Sequence, residues 1–279
     1  MKILVTGAGG LLGSKVLEIA RINSIDAVGF SHLEMDITNR NVINDIIGKE
    51  RPDFVIHCAA ITDVDYCEDH RKDAWDVNII GTKNVLDACE KNGTKMILIS
   101  TDFVFDGRKG MYKEDDIPNP INYYSLTKYE SEKLVMNSDN FLIARTSVLY
   151  GVGSRKFVSW VMASLADKQK IEVYNDQYNS PTLNTDLAES LLTLCRKNAS
   201  GLYHCAGSER ISRYDFSLKI ADIFGLDKGL ISSVPSGMQK AERPRDTSLD
   251  VSKVKKDFGI QFSNAEQGLK KMRGEMKFI

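Results

Sequence analysis

A short apolar run at the N-terminus leads directly into a loop with three evenly spaced glycines. The run is Lys2–Thr6, and the glycines are Gly7, Gly10 and Gly13, followed by an apolar pattern of helical spacing. A strand, a glycine turn and a helix in this order can bind the pyrophosphate of a dinucleotide, because the helix N-terminus faces the phosphates. We expect Gly7 to make the tight turn, Gly10 to admit the pyrophosphate, and Gly13 to let helix pack on strand. The spacing is G-x-x-G-x-x-G rather than G-x-G-x-x-G, so a glycine turn without a ligand is the alternative.

Strand and helix patterns alternate through the first half of the chain, which predicts an α/β fold with a doubly wound parallel sheet. Residues 1–150 are expected to form a Rossmann dinucleotide-binding domain. Residues 151–279 are expected to form mainly a smaller substrate lobe, with elements near 184–206 returning to the large sheet. The predicted strands are Lys2–Thr6, Asp26–Phe30, Phe54–His57, Met96–Ile99, Phe141–Arg145, Ile171–Tyr174 and Gly201–Cys205, and the predicted helices after the first include Val42–Lys49, one long helix with Ala74 and Ala88, one from Tyr124 to about Met136, Phe157–Asp167, Asn184–Lys197, Tyr214–Phe224 and Ala265–Arg273.

Tyr124 and Lys128 are four residues apart in a predicted helix, so their side chains share one face. A nearby ammonium favours the phenolate, so we expect Lys128 to lower the pKa of Tyr124 and to make it a proton donor at neutral pH. Thr101 follows an apolar strand and is expected at its carboxyl end, where ligands of parallel sheets bind. A surface tyrosine and lysine on an amphipathic helix would give the same spacing.

Composition excludes several classes of protein. A net charge of −1 over 279 residues provides no basic surface for nucleic acid, and no apolar stretch approaches a membrane span. The early strand leads us to expect no signal peptide, and five cysteines without a C-x-x-C pair predict reduced, mostly buried thiols in a cytoplasmic protein. Cys67 and His70 have the spacing of half a metal site, but without a second half we expect no metal. His57 and His204 lie in apolar strands and are expected to be core residues with local hydrogen bonds.

Taken together, these pieces resemble the extended short-chain dehydrogenase/reductase superfamily, and more narrowly the dTDP-4-dehydrorhamnose reductase family. The matching segments run almost from end to end, and their order is more specific than any one of them. They are TGAGGLLG (6–13), HCAAITDVDYCE (57–68), NIIGTKN (78–84), STDFVFDG (100–107), NPINYYSLTKYESE (119–132), ARTSVLYG (144–151), NDQYNSPTLNTDLA (175–188) and RPRDTSLDVSKV (243–254).

The resemblance implies NAD(P)H-dependent reduction of a nucleotide-linked 4-keto-6-deoxy sugar, most simply dTDP-4-dehydrorhamnose to dTDP-rhamnose. It implies that Tyr124 protonates the ketone oxygen, that Lys128 holds the nicotinamide ribose, and that Thr101 hydrogen-bonds the carbonyl. The partner would be the nucleotide-diphosphate sugar, and a homodimer is left open. The implied cofactor-binding residues are Gly7, Gly10, Leu11, Leu12, Gly13, Ser31, Asp36, Ile37, Ala59, Ala60, Thr62, Tyr124 and Lys128, and the implied substrate-binding residues are Thr101, Asp102, Asp176, Gln177, Pro181, Thr182 and Arg243.

Arg243 is expected to bind the diphosphate because a guanidinium can donate two parallel hydrogen bonds to it. A surface salt bridge is the alternative role for this arginine.

Three positions depart from the family pattern. Phe103 stands where the family usually has tyrosine, and Val148 where many members have tryptophan. The second strand ends in Ser31 and His32, without the acidic residue that would bind an adenosine ribose hydroxyl. Since these two side chains could hydrogen-bond a 2′-phosphate, we expect NADPH to be used at least as well as NADH, although Glu34 lies close in the sequence.

Two other functions remain open at this stage. An NDP-sugar epimerase or dehydratase would use a carboxylate beside Thr101, and Asp102 is a carboxylate. A non-catalytic NADP-binding subunit is the other alternative, because the regulatory subunit of methionine adenosyltransferase resembles the same family. The complete set of Thr101, Tyr124 and Lys128 favours the enzyme, since a binding role needs no aligned proton donor.

Overall fold

Twelve strands and eleven α-helices are found in the computed structural model, which describes residues 1–138, 141–154 and 156–276. The strands are β1 Lys2–Thr6, β2 Asp26–Phe30, β3 Phe54–His57, β4 Lys95–Thr101, β5 Leu142–Thr146, β6 Leu149–Tyr150, β7 Ile171–Tyr174, β8 Tyr178–Asn179, β9 Thr182–Leu183, β10 Gly201–His204, β11 Ile211–Ser212 and β12 Ile231–Val234. The helices are α1 Leu11–Ile22, α2 Arg40–Glu50, α3 Val64–Asp69, α4 Arg71–Trp75, α5 Thr82–Asn92, α6 Tyr123–Met136, α7 Phe157–Ala166, α8 Asn184–Arg196, α9 Arg213–Phe224, α10 Ser252–Phe258 and α11 Ala265–Glu275.

Six parallel strands form the central sheet in the order β10-β5-β4-β3-β1-β2. Successive side chains of its inner strands point to opposite faces, and both faces are covered by helices, so these strands are buried on both sides. In β1, Ile3 and Val5 pack into the core beneath α1 and α8, while Leu4 packs into the core beneath α2 and α5. The predicted doubly wound parallel sheet is confirmed.

The long helix predicted from Ala74 to Ala88 is interrupted by a π-helical turn, Asp76–Gly81. The extra residue in a π-turn shifts the register of the side chains. Asn78 is thereby buried, where its amide oxygen accepts from the Ile61 N–H at 2.8 Å and its amide nitrogen donates to Thr127 Oγ1 at 2.9 Å. Apolar spacing alone could not predict this, because α and π turns leave the same residues apolar.

The smaller lobe has its own apolar core. That core joins α7, α9 and α11 to the strand pair β7–β12, with Phe216 and Leu269 fully enclosed. Between these elements the chain returns to the large sheet: β10 pairs with β5, and α8 packs against α1. Val254 of α10 also packs into the core beneath α1, so a second segment returns there. The predicted range 151–279 includes residues 155 and 277–279, which lie outside the described residues.

Isolated side chains behave largely as the sequence predicts. All five cysteines are free thiols, and four of them are buried, with Cys58 half-buried. His57 bonds Thr6 Oγ1 through Nδ1 at 2.8 Å, and His204 Nδ1 contacts the Asp250 carbonyl at 3.2 Å, so both are core residues with local hydrogen bonds.

No helix in the described part of the chain has the length and apolar character needed to cross a membrane.

Candidate active site

The glycine loop has the close backbone packing that a dinucleotide site needs. Gly7 has a φ of +64°, and a Cβ there would lie 2.8 Å from the Ala59 nitrogen. A Cβ on Gly13 would lie 2.5 Å from the Gly7 carbonyl oxygen, so only glycine lets α1 approach β1 this closely. Gly10 caps α1 without a side-chain hydrogen bond, which leaves the N–H groups of the first turn free for an anion. The loop therefore fits a pyrophosphate.

A cleft of about 510 Å³ opens at the carboxyl ends of the sheet strands. It is the place where ligands of open parallel sheets bind. The structure brings cofactor-side and catalytic candidates together there. The predicted site residues that line the cleft are Leu11, Leu12, Ala60, Thr62, Thr101, Asp102, Tyr124 and Lys128.

Tyr124 and Lys128 lie on the cleft-facing side of α6, and both are buried, at 9% and 4% exposed. Asn122 caps the helix by accepting from the Ser125 N–H at 2.9 Å, which fixes where the Tyr124 ring enters the cleft. The expectation that Lys128 lowers the pKa of Tyr124 is wrong for this arrangement. Burial raises the pKa of Tyr124, and a hydrogen bond with Thr101 offsets only part of that rise. The phenol therefore stays protonated across the neutral range and can act as a proton donor.

Lys128 carries the opposite shift. Burial lowers its pKa to about 8, while the negative charge of Glu132, one helical turn further along, opposes that change. Glu132 is itself held by Arg145 of β5 through two hydrogen bonds, at 2.8 and 2.7 Å. Tyr124, Lys128 and Glu132 therefore form one row along α6, whose far end is fixed to the sheet by Arg145.

Asp102 is 2% exposed at the end of β4 and accepts hydrogen bonds from three hydroxyl groups. Its Oδ1 accepts from Thr101 at 3.1 Å, and its Oδ2 accepts from Ser147 at 2.7 Å and from Thr247. Burial raises the pKa of this carboxyl group, and the three hydroxyls oppose that rise. Asp102 thereby joins β4 to the segments that follow β5 and precede α10.

The predicted adenosine side lies beyond the glycine loop. Glu34 accepts from the Ser31 N–H at 2.8 Å and from its hydroxyl at 2.7 Å, so the premise that this strand end has no carboxylate is wrong. Asp36 accepts from the N–H and hydroxyl of Thr38 at 2.9 and 2.8 Å, beside a second cavity of about 380 Å³ that His32 also lines. Ile37 is buried against Gly81, which leaves only its main chain to face a ligand.

Five predicted substrate residues lie outside the described lining of the cleft, and three of them, Asp176, Gln177 and Arg243, hold loops together. Asp176 accepts from the N–H and hydroxyl of Ser236 at 2.8 Å each, and the Gln177 amide donates to Gln239 at 3.3 Å. Arg243 donates two hydrogen bonds to Asp65 of α3, at 2.7 and 2.9 Å.

The same segment makes a second ion pair with α3, between Lys240 and Asp69. The diphosphate role of Arg243 stays a prediction, because its guanidinium already has a carboxylate partner. Pro181 and the buried Thr182 precede α8, where the Thr182 hydroxyl accepts from the Gly207 N–H at 3.1 Å.

Two of the three departures from the family pattern, Phe103 and Val148, line the cleft. Phe103 meets the Tyr124 ring edge to face at 6.3 Å between centroids. Val148 has a φ of +33°, a conformation that is costly for a β-branched side chain and that is found where function or packing imposes it. This wall of the cleft is therefore apolar.

Two cationic side chains that line the cleft, Arg213 and Lys156, were not among the predicted site residues. Arg213, the first residue of α9, lines the cleft, and its Nε is buried without a hydrogen-bond partner among the described residues. Lys156 lies at the cleft and donates to the Thr62 hydroxyl at 3.1 Å. One signal was available for Arg213: a cation is unfavourable in the first turn of a helix, so its presence there needs a reason.

Cys67 and His70, which have the spacing of half a metal site, make other contacts in the structure. The Cys67 thiol donates to the Ile61 carbonyl at 3.7 Å, and the His70 ring stacks on Tyr66 with 4.0 Å between centroids. Within the described ranges, no group of three or more histidine, cysteine, aspartate or glutamate residues could hold a metal ion.

Comparison with known proteins identifies the family of this chain. The profile of the RmlD substrate binding domain family matches residues 1–278. A dTDP-4-dehydrorhamnose reductase from Aggregatibacter actinomycetemcomitans is 32% identical over 288 aligned positions, covering 98% of each chain. The β subunit of methionine adenosyltransferase 2 from Bos taurus is 32% identical, covering 91% of this chain and 81% of its own.

Solved structures give the same result. The dTDP-4-dehydrorhamnose reductase of Bacillus anthracis, in complex with NADP, superposes with a TM-score of 0.94 at 32% identity, covering 99% and 100% of the two chains. A UDP-glucose 4-epimerase from Thermus thermophilus has a TM-score of 0.84 at 17% identity over 98% and 99% of the chains, which shows the shared fold alone. The chain belongs to the RmlD substrate binding domain family, that of the dTDP-4-dehydrorhamnose reductases.

Proposed function

We propose that this chain is an NADPH-dependent oxidoreductase that reduces the 4-keto group of a dTDP-linked 6-deoxy sugar, converting dTDP-4-dehydrorhamnose to dTDP-rhamnose in the cytoplasm. The observation that carries this proposal is the convergence of Thr101, Tyr124 and Lys128 on the cleft that α1 also lines. The B. anthracis relative, at 32% identity, is a complex with NADP. The glycine loop fits the cofactor because Gly7 and Gly13 leave no room for a Cβ.

The chain's own residues would share the remaining work. The first turn of α1 would hold the pyrophosphate, and Lys128 would hold the nicotinamide ribose. When bound, the cofactor supplies a hydride for the carbonyl carbon of the sugar. Tyr124 would give its phenolic proton to the carbonyl oxygen, so the ketone becomes a secondary alcohol. Thr101 would orient that oxygen through its hydroxyl.

Two observations count against the alternatives. Asp102 is nearly fully buried and its oxygens accept from three hydroxyls, so it is poorly placed to remove a carbon-bound proton as an epimerase or dehydratase base would. The methionine adenosyltransferase β subunit is a relative of equal identity, but a purely binding role has no need for a buried phenol beside a buried lysine.

The test is reduction of dTDP-4-dehydrorhamnose, followed by the loss of NADPH absorbance. Tyr124→Phe removes one oxygen and should lower kcat about 10²–10⁴-fold, because it removes the general acid. Tyr123→Phe is the matched control: its half-buried ring lies beneath Arg71 at 5.0 Å, and the rate should stay close to that of the parent. A parent that binds NADPH and reduces no such sugar would favour the binding-subunit function instead.

A further inference from the structure

The Arg213 side chain is a cation without a hydrogen-bond partner for its Nε in the described part of the chain. It begins α9, directly after the N-cap Ser212, and lines the same cleft as Thr101 and Tyr124. Its guanidinium lies over the Phe157 ring, 5.1 Å from the centroid. Arg243, by contrast, has both of its terminal nitrogens on the Asp65 carboxylate.

This placement of Arg213 is unfavourable in the absence of a ligand. Burial lowers the pKa of its guanidinium, and the positive charge of Arg243 acts in the same direction. The positive end of the α9 dipole disfavours a cation in the first turn. Asp102 is the carboxylate that favours the charged form, but its oxygens already accept from three hydroxyls. A buried donor left without a partner, such as the Arg213 Nε, destabilises a fold.

An anion in the cleft would offset these unfavourable contributions. A guanidinium matches a phosphate with two parallel hydrogen bonds, and the N-terminus of α9 favours negative charge. Lys156, which is exposed at the cleft, adds a second positive charge. Because Arg213 and Tyr124 line one cleft, a single molecule can place an anion at Arg213 and still reach the phenol.

We propose that Arg213 binds the diphosphate of the nucleotide sugar and so determines how this substrate is anchored. The proposal rests on the proposed function for the identity of the substrate. It predicts that Arg213 lowers the stability of the ligand-free protein, so its removal should leave stability unchanged or raise it. Removal of an arginine with a structural role would lower stability.

The experiment uses dTDP as the probe, because dTDP carries the diphosphate without the reacting sugar. Its affinity for the parent, Arg213→Met and Arg213→Lys is measured by calorimetry, and melting temperatures are measured without ligand. Loss of a charge-assisted hydrogen bond should weaken dTDP binding by about 10–100-fold in Arg213→Met. Arg213→Lys should recover part of that loss, and NADPH affinity should stay within about threefold of the parent. The melting temperature of Arg213→Met should equal or exceed that of the parent.

Arg210→Met is the matched control. Arg210 is exposed, pairs with Asp246 at 2.6 Å and precedes α9 by one strand, so its loss should leave dTDP affinity unchanged. The inference is overturned if Arg213→Met binds dTDP as tightly as the parent, or if the parent itself does not bind dTDP. A parent that binds dTDP through Arg213 yet reduces no keto sugar would defeat the proposed function and leave the anchor in place.

Discussion

The carboxylate of Glu132 and the guanidinium of Arg145 form a two-pronged ion pair whose side chains are 0% and 1% exposed. The Phe105 ring lies 5.0 Å from the guanidinium carbon, and Arg145 Nη1 has no hydrogen-bond partner among the described residues. A buried pair of this kind gives little net stability, but removing one partner strands a charge. Its role is to fix α6, and with it Tyr124 and Lys128, at one position against the sheet.

Arg145→Met should therefore be strongly destabilising. Loss of the guanidinium leaves the Glu132 carboxylate buried without its partner, which costs about 3–5 kcal/mol in the free energy of unfolding. The double variant Arg145→Met with Glu132→Leu should recover most of that loss, because no charge is then stranded. Urea unfolding of the parent and both variants measures this, and equal stability of the two variants would contradict the expectation.

The alkaline limb of activity should report Lys128. The lowered pKa of Lys128, about 8, means that its charge is present below that pH and is lost as the pH rises through it. The Tyr124 phenol stays protonated over this range, because burial raises its pKa. The ratio kcat/KM for NADPH, which reflects the free enzyme, should fall above about pH 8.

Lys128→Arg separates this from other causes of the alkaline limb. An arginine keeps its charge far above pH 8, so the variant should be slower but should lose the fall in kcat/KM near that pH. Persistence of the same limb in Lys128→Arg would assign it to a different group.

Glu34 should oppose NADPH. Its carboxylate lies on the N–H and hydroxyl of Ser31, the residue expected to meet a 2′-phosphate. Glu34→Gln removes one exposed negative charge and should raise the NADPH-to-NADH ratio of kcat/KM by about 5–10-fold, with salt reducing the effect. Glu18→Gln, on α1 and paired with Lys15, is the control that should leave the ratio unchanged. A ratio that stays constant in Glu34→Gln would place the 2′-phosphate elsewhere.

Asp102→Asn tests whether this carboxylate is structural. An amide oxygen cannot accept from three hydroxyls as the carboxylate does, so the variant should lose about 1–3 kcal/mol of stability. The rate of ketone reduction should fall less than about tenfold, since Tyr124 still carries the proton. Equilibrium unfolding and steady-state rates measure the two effects. A fall in rate as large as that of Tyr124→Phe would instead make Asp102 an acid–base group.

Much of the fold was predictable because the sheet strands are short apolar runs between turn residues. The bounds predicted for Asp26–Phe30, Phe54–His57 and Ile171–Tyr174 agree with the structure. The π-turn at Asn78 was not predictable, since its register depends on partners at Ile61 and Thr127, which are distant in the sequence.

The catalytic candidates were predictable in their spacing but not in their environment. The spacing of Tyr124 and Lys128 fixes a shared helix face, but it carries no information about burial, and burial decides the direction in which the pKa of Tyr124 shifts. Likewise, an arginine's partner is set by tertiary packing. The family resemblance therefore pointed to Arg243, which pairs with Asp65, whereas Arg213 lines the cleft.

The interleaving of the two lobes limits how this protein can be recombined with its relatives. A chimera joined at residue 150 would take β10 from one parent and β5, its neighbour in the sheet, from the other. It would also take α1 from one parent and α8 from the other, although Val16 of α1 and Leu191 of α8 belong to one apolar core. Exchanging sugar preference within the family therefore calls for a discontinuous graft of the lobe segments around 157–183, 211–234 and 265–275, with β10, α8 and α10 left in the recipient.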